Sequence, residues 1–455
     1  MASVGSATSS VLRVCVTTVF LMLGGNLVSP ILPLYGRTFG VSVAVVGLLV
    51  SAFGAARLFV DLPGGQLADR LGSRATMLAG CLVVAGSAVM AAVATSFPVL
   101  VLARALQGAG SALYMVAGYS FVGRVSPPDR RGRMMSYYQG SVLMGQSLGP
   151  TVGGFAAEHF GLASPFWFYA ALAAVAAVLT VTAVPDAARE RALALARTAA
   201  MAQAHRLAAG GAGSDGYAAA GAPAATRAAA RRRQPAGGPQ PGEPAGAGML
   251  LRRADFLLVC LVAFTLAYTR TGGRGTVIPL LGDQRLGLSE GQIGLALTVA
   301  ALLNLLLLVP TGRIVDHYGR KVAIVPGLAV SALGLALFAL APSYRHYVLA
   351  AAILGLGTGV AGPAPAAYVS DILPAEAFGA SMGVYRTIMD VGMVAGPVIA
   401  GAVADLVGLS WALAVNACLM ATTALLFAWK APETARQVRQ EAGPQPAMAL
   451  KHQGD

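Results

Sequence analysis

One eight-residue loop signature, Gly-x-x-x-Asp-x-x-Gly, occurs twice in this chain at one fixed separation. Gly65-Gln66-Leu67-Ala68-Asp69-Arg70-Leu71-Gly72 returns as Gly312-Arg313-Ile314-Val315-Asp316-His317-Tyr318-Gly319, offset by 247 residues at each shared Gly and Asp (312 − 65, 316 − 69, 319 − 72). Gly149-Pro150 and Gly396-Pro397 repeat at the same offset. Each copy lies between long apolar runs, so the chain reads as two homologous membrane bundles in tandem. Internal duplication of this kind is the plan of secondary transporters.

With 56% apolar and 11% charged residues and a mean hydropathy of +0.68, an ordinary soluble protein is excluded. Apolar runs long enough to cross a hydrocarbon core predict twelve helices. These spans 1–12 fall near 13–34, 43–66, 75–95, 98–122, 134–158, 164–184, 255–281, 291–311, 321–341, 346–370, 381–403 and 410–430. The expected fold is an all-α integral membrane protein, six spans on each side of a central break. The expected organisation is a first bundle over 1–185, a low-complexity linker over 186–252, a second bundle over 253–432 and a tail over 433–455. The linker holds Arg231-Arg232-Arg233 and a Gly/Pro-rich run, and disorder is its default.

Arg70, Arg74, Arg124, Arg130, Arg131, Arg133, Arg313, Arg320 and Lys321 fall in loops on one side; Arg37, Arg285 and Arg345 are singletons on the other. The positive-inside rule therefore predicts cytoplasmic termini and linker, in a plasma membrane or an organelle membrane. The net charge of +13 follows from these loops, and no soluble basic domain exists to bind nucleic acid. Cys15, Cys81, Cys260 and Cys418 sit in separate apolar spans and read as small core residues. Met1 to Ser10 is too short for a cleaved signal peptide, so the first run reads as span 1. The five histidines are dispersed, and no metal-ligand cluster or nucleotide loop occurs; neither enzyme, metal nor cofactor is expected.

Several motifs resemble the major facilitator superfamily, over essentially the whole chain except linker and tail. The loop between spans 2 and 3 has its Gly-x-Leu-Ala-Asp-Arg-x-Gly pattern. Span 4 carries Arg104-Ala105-Leu106-Gln107-Gly108-Ala109-Gly110, similar to the family's Arg-x-x-Gln-Gly-x-Gly element. Span 5 carries Gly145, Gly149, Pro150, Gly153 and Gly154 in the Gly-x-x-x-Gly-Pro-x-x-Gly-Gly order of the drug:proton antiporter branch. Leu23-Gly24 and Pro30-Ile31-Leu32-Pro33 in span 1 resemble twelve-helix exporters. The resemblance implies two pseudo-symmetric six-helix bundles and a monomeric, alternating-access transporter of a small organic molecule, with efflux by proton antiport. A proton symporter or facilitator importing an organic anion stays open beside it, as does a non-transporting receptor or scaffold on the same fold.

The glycines of span 5 remove side chains at one-turn spacing and predict close helix packing; the directional role of that motif is implied by resemblance alone. In the repeated loops, Asp69 is placed to rest against the positive N-terminus of span 11 near Gly379, and Asp316 against span 5 near Arg133. Such contacts would hold the cytoplasmic side closed, with Gly65, Arg70, Gly72, Arg74, Gly312, Gly319, Arg320 and Lys321 shaping the loops. The first loop departs from the family in having Ser73 where a basic residue is common.

Charges inside a membrane are costly and usually functional. Span 2 holds Arg57 and Asp61, and span 11 holds Arg386 and Asp390, each pair at i,i+4. At a rise of about 1.5 Å per residue, Asp61 and Arg57 lie about 12 and 18 Å above Asp69, and Arg386 and Asp390 about 10 and 16 Å above Gly379. The resemblance implies that spans 2 and 11 face each other across the two halves, which at these depths makes Arg57–Asp390 and Asp61–Arg386 the expected cross-bundle ion pairs, against the alternative of i,i+4 pairs within each helix. The repeat puts uncharged Asn304 and Leu308, and Gln139 and Leu143, at the corresponding positions, so the charges are not needed to build these helices. Asp61 and Asp390 are the proton-coupling candidates. Glu158 and Asp255 read as interfacial. Arg104 in span 4 and Arg270 and Arg274 in span 7 lack an evident acidic partner. If most of the five arginines line the cavity, its field is positive and favours an organic anion, and Asn26 in span 1 points the same way. The alternative bonds Arg104 to backbone carbonyls and lets Arg270 and Arg274 snorkel to the interface.

Overall fold

In hydrocarbon every backbone N–H and C=O must be paired within the segment, so the apolar runs fold as helices. The computed structural model describes residues 2–126, 130–184, 253–372 and 378–433, all helix and connecting turn with no strand. In the first half the spans are Ala2–Leu27, Val43–Leu71, Ser73–Ala92, Phe97–Val125, Arg131–Phe160 and Ser164–Ala183. A short helix, Leu32–Arg37, follows span 1. In the second half span 7 runs as Ala254–Tyr268, a π-helical stretch Thr269–Val277, and Ile278–Leu286. Spans 8 and 9 are Glu290–Tyr318 and Lys321–Leu340; span 10 is Tyr344–Ala361 continued by Ala364–Ile372; spans 11 and 12 are Phe378–Val407 and Leu409–Lys430.

Eleven of these bodies are both long and apolar enough to cross a membrane. Span 5 is the exception. It is 30 residues long, but Arg133, Gln139, Gln146, Glu158 and its glycines lower its hydropathy. The linker 186–252 and the tail beyond Glu433 lie outside the described residues, as do the side chain of Asp316 and the surroundings of Gly379. Glu433 itself accepts a hydrogen bond from the Arg320 amide at 3.1 Å.

Two apolar cores form, one from Val11 to Val184 and one from Phe256 to Ala431, the latter joined by Leu34 and Val43. Their packing obeys the repeat. Span 1 packs on spans 5 and 6 as span 7 packs on 11 and 12; span 4 packs on 2 and 3 as span 10 packs on 8 and 9. Between the halves, span 2 lies on span 11 and span 5 on span 8. Cys15, Cys81 and Cys260 are buried as expected, whereas Cys418 is exposed, because span 12 turns that face outward.

The helix ends repeat too. Ser42 caps span 2 by accepting from the Val45 amide, and Ser289, 247 residues on, makes a capping box with Gln292 at the start of span 8. All six positive-φ residues among those described are glycines, in three pairs at the same offset: Gly40 and Gly287, Gly72 and Gly319, Gly161 and Gly408. Gly72 (φ 88°, ψ 159°) and Gly319 (φ 107°, ψ 168°) end the helices that carry the loop motif, in a region essentially closed to side chains. The last Gly of the motif is thus a backbone requirement. Gly72→Ala should cost about 1–3 kcal/mol and lower the melting temperature in detergent. Gly86→Ala, where a Cβ meets nothing within 4 Å, should leave it unchanged.

Candidate functional site

The halves meet in two seams that are copies of each other. Gly47 of span 2 lies against the Pro397 carbonyl of span 11, and Gly294 of span 8 against the Pro150 carbonyl of span 5; a Cβ there would come within 2.5 and 2.2 Å of the carbonyl oxygen. No other residue allows that approach. Beside these contacts Ser51 Oγ donates to the Val394 carbonyl (2.5 Å), and Thr298 Oγ1 accepts from the Thr151 amide (3.0 Å). Glu158 Oε2 accepts from the Gly291 amide at the start of span 8 (3.2 Å). Asp405 accepts from the Val43 and Ala44 amides at the start of span 2 (2.9 and 2.8 Å). Each carboxylate caps a helix N-terminus of the other half. The two stand 247 residues apart (405 − 158).

All of these contacts lie on the face remote from the repeated loops, here the far face. Three of the remaining span 5 motif glycines pack within their own half. Gly145, Gly149 and Gly153 lie against span 1, and a Cβ at Gly153 would sit 1.8 Å from the Leu27 carbonyl oxygen. Gly154 alone reaches span 8, at Glu290 and Gly291. The motif therefore welds span 1 to span 5 and completes one seam.

Inside the far-face seams is a cavity of about 350 Å³, at the small end of ligand pockets. Of the expected residues it is lined by Asn26, Arg270, Arg274 and Asn304. Asn26 Nδ2 donates to the Met22 carbonyl (2.9 Å) and Asn304 Nδ2 to Thr358 Oγ1 (3.2 Å). Arg270 is solvent-accessible, Arg274 is half-buried, and neither snorkels to an interface. Two of the five arginines line the cavity, not most of them.

Arg104 does not line it. This side chain is buried among spans 2 and 4: Nε donates to the Leu49 carbonyl (3.3 Å), Nη1 to Gln107 Oε1 (2.5 Å), and the guanidinium stacks 4.6 Å from the Phe53 ring centre. A cation so fully engaged is a structural clamp.

Toward the motif face the remaining charges form a loose cluster. Asp390 is within electrostatic reach of Arg386, Asp61 and Arg57, and Tyr119 of Arg57 and Arg386. Gln139 accepts a hydrogen bond from Tyr119. No ion pair within 4 Å joins Arg57 to Asp390 or Asp61 to Arg386, and none closes within either helix. Asp61, Gln139 and Arg386 are exposed.

The loop motifs are also held within their own halves. Asp69 Oδ1 accepts from Arg124 Nη1 at the end of span 4 (2.8 Å); the Asp69 side chain stays 71% exposed, so the pair contributes little. Arg124 Nη2 also donates to Ser73 (2.8 Å). In the second half Arg320 stands at the Ser73 position and Asp371 at the Arg124 position, and they pair at 2.8 Å. The missing base at Ser73 is thus compensated by exchanging the charge between two sites. Lys321 Nζ donates to the Ala431 carbonyl (2.8 Å), Gly65 packs near Val116, Gly312 faces open space, and Arg74 is half-buried.

Asp405, Gln146, Thr358, Tyr385 and the π-helical break join the site without being among the residues expected from sequence. Asp405 was within reach, since the 247-residue offset maps it onto Glu158. The others carry no signature outside the folded cavity.

A family profile described as Major Facilitator Superfamily matches residues 14–284 and 259–453. The quinolone resistance protein NorA of Staphylococcus aureus (strain MRSA252) is 33% identical over 166 residues, which are 36% of this chain and 42% of that protein. The chain thus spans less than half the length of these relatives. An uncharacterized MFS-type transporter, MJ1560 of Methanocaldococcus jannaschii, is 20% identical over 406 residues, 89% of this chain and 94% of that one. Among solved structures, a peptide transporter POT in complex with sulfate superposes with a TM-score of 0.68 at 17% identity, covering 92% and 94% of the two chains. A D-xylose-proton symporter gives 0.65 at 17% identity, covering 94% and 99%. These likenesses establish the fold.

The seams make a local prediction. Asp405→Ala removes the acceptor for two amides and should cost about 1 kcal/mol at the start of span 2. Hydrogen–deuterium exchange over residues 43–51 should speed up severalfold, with residues 75–90 of span 3 unchanged; uniform acceleration across the chain would contradict a local cap.

Proposed function

Because this chain belongs to the Major Facilitator Superfamily, and is a multi-pass membrane transporter, we propose that it exports a small organic molecule by alternating access coupled to proton antiport. The observation that carries the reading is the asymmetry about the cavity: two duplicated seams on the far face, and unpaired, exposed Asp61 and Arg386 toward the motif face. That is a transporter open to its motif face. Arg70, Arg74, Arg124, Arg130, Arg133, Arg320 and Lys321 lie on this face, which the positive-inside rule assigns to the cytoplasm of a plasma membrane. Cytoplasmic substrate then enters the cavity directly. The kinship with NorA over part of the chain supports efflux.

Closure would be a rocking of the halves about the cavity, with the far-face seams parting as the motif face comes together. Span 2 and span 11 then approach along their inner halves, where Arg57, Asp61, Arg386 and Asp390 already share one neighbourhood. Arg57–Asp390 and Asp61–Arg386 are the pairs that form in the closed state. A carboxyl that is ion-paired when closed and free when open changes its proton affinity between the two states, which is the requirement for coupling.

In proteoliposomes with an imposed pH gradient, a substrate panel should reveal accumulation against the direction of proton flow, collapsed by a protonophore. Transport indifferent to the gradient would sink antiport. Asp390→Asn should lower gradient-driven transport at least tenfold while leaving substrate counterflow intact. Arg57→Asp and Asp390→Arg should each abolish transport, and the double exchange should restore a measurable part; failure of the double variant to exceed either single one rejects the pairing.

A further inference from the structure

The cavity is lined by two arginines and by no carboxylate among the described residues. Its polar remainder is neutral, including Asn26, Gln146, Asn304, Thr358 and Tyr385. Arg274 spends one nitrogen on the Leu297 carbonyl (Nη2, 3.0 Å), whereas Arg270 makes no hydrogen bond or ion pair among the described residues. Arg270 lies within electrostatic reach of Arg274, so two like charges reinforce one another in the cavity wall. Two guanidinium groups inside a membrane protein, without a counter-charge beside them, are an expensive arrangement.

The scaffold does not need them. The repeat maps Arg270 and Arg274 onto Leu23 and Leu27 of span 1, which occupies the equivalent place in the first half (270 − 247, 274 − 247). That helix is regular, whereas the two arginines stand in the π-helical stretch Thr269–Val277. Bonding of the i→i+5 type puts residues i and i+4 on nearly one face, and both side chains reach the cavity. The stretch is clamped from two sides. Thr269 Oγ1 donates to Asn416 Oδ1 of span 12 (2.8 Å), and Gly272 lies against the Gly396 carbonyl of span 11, where a Cβ would come within 2.5 Å. The guanidinium pair is therefore held on rigid backbone, with the widened turn aiming it inward.

We propose that Arg270 and Arg274 form an oxyanion subsite, and that the cavity takes an amphipathic organic anion, its carboxylate, sulfonate or phosphate on the guanidinium pair. The apolar body lies against Leu143, Leu266, Leu297, Met389 and Met393, which line the same cavity. A planar fork of donors on each arginine matches an oxyanion's geometry, and a charge-assisted pair in a low-dielectric pocket discriminates strongly against cations. The inference rests on the cavity being the transport pathway, but its test does not require transport.

The test is calorimetric titration of the full-length protein in detergent with naphthalene-1-sulfonate and with the charge-reversed probe trimethyl(1-naphthyl)ammonium. The sulfonate should bind the wild type at least tenfold more tightly than the ammonium. Arg270→Ala should weaken the sulfonate at least tenfold, the double Arg270→Ala/Arg274→Ala variant should abolish its binding, and the double Lys variant should recover part of it. Thermal melting confirms that each variant is folded, and the Lys variant keeps the charge if the Ala variant is not. Absence of sulfonate binding to the wild type, tighter binding of the ammonium, or sulfonate binding unaltered in the double Ala variant overturns the proposal. Anion binding without gradient-driven transport would sink the exporter reading and leave the subsite standing; gradient-driven export of lipophilic cations would do the reverse.

Discussion

Everything in this molecule turns on the backbone-to-backbone contacts between halves at two seams. Where Gly47 meets the Pro397 carbonyl and Gly294 meets the Pro150 carbonyl, helix axes approach as closely as main chain allows. Lipid supplies no hydrophobic force between helices, so such seams hold by dispersion and by the hydrogen bonds beside them. Ser51, Thr298, Glu158 and Asp405 supply those bonds, each to backbone of the other half. A joint of this kind is close-fitting but shallow. It can part without exposing a large apolar core, which a protein that must open on alternate sides requires.

The duplication explains how one gene segment yields both seams. Each half contributes one helix that receives a carboxylate at its N-terminus and one that delivers it. The positive-φ glycines, the Ser caps and the core packing all recur at 247 residues. Departures from the repeat then stand out as features the scaffold did not demand. The charge exchange between Ser73/Arg124 and Arg320/Asp371 preserves a local contact with different residues. The arginines of the π-helical stretch preserve nothing; they add a charge where the other half has leucine.

Arg104 shows why charge inside a membrane cannot be sorted by sequence alone. It sits in a family motif, as Arg270 does not, yet its guanidinium is consumed by Leu49, Gln107 and Phe53. Rotation of a helix by less than half a turn decides between an internal clamp and a cavity wall. In span 11 the same point appears between neighbouring residues: Tyr385, Met389 and Met393 face the cavity, while the exposed Arg386 and the half-buried Asp390 do not line it.

The sequence by itself determined the twelve-span plan, the repeat, the pairing of span 2 with span 11 by resemblance, and the loop motifs at Gly72 and Gly319. Apolar length, loop motifs and a constant offset are properties of order along a chain, and they survive without coordinates. Only the tertiary structure decided which polar side chains share a cavity, that the halves meet in seams on the far face, that Asp69 is bound by Arg124, and that Asp405 and Glu158 each cap a helix of the other half. These depend on helix rotation, on a π-helical break that shifts the register of span 7, and on rigid-body placement of the halves. Contacts between residues hundreds of positions apart leave no mark in local composition, because each partner needs only be polar and present.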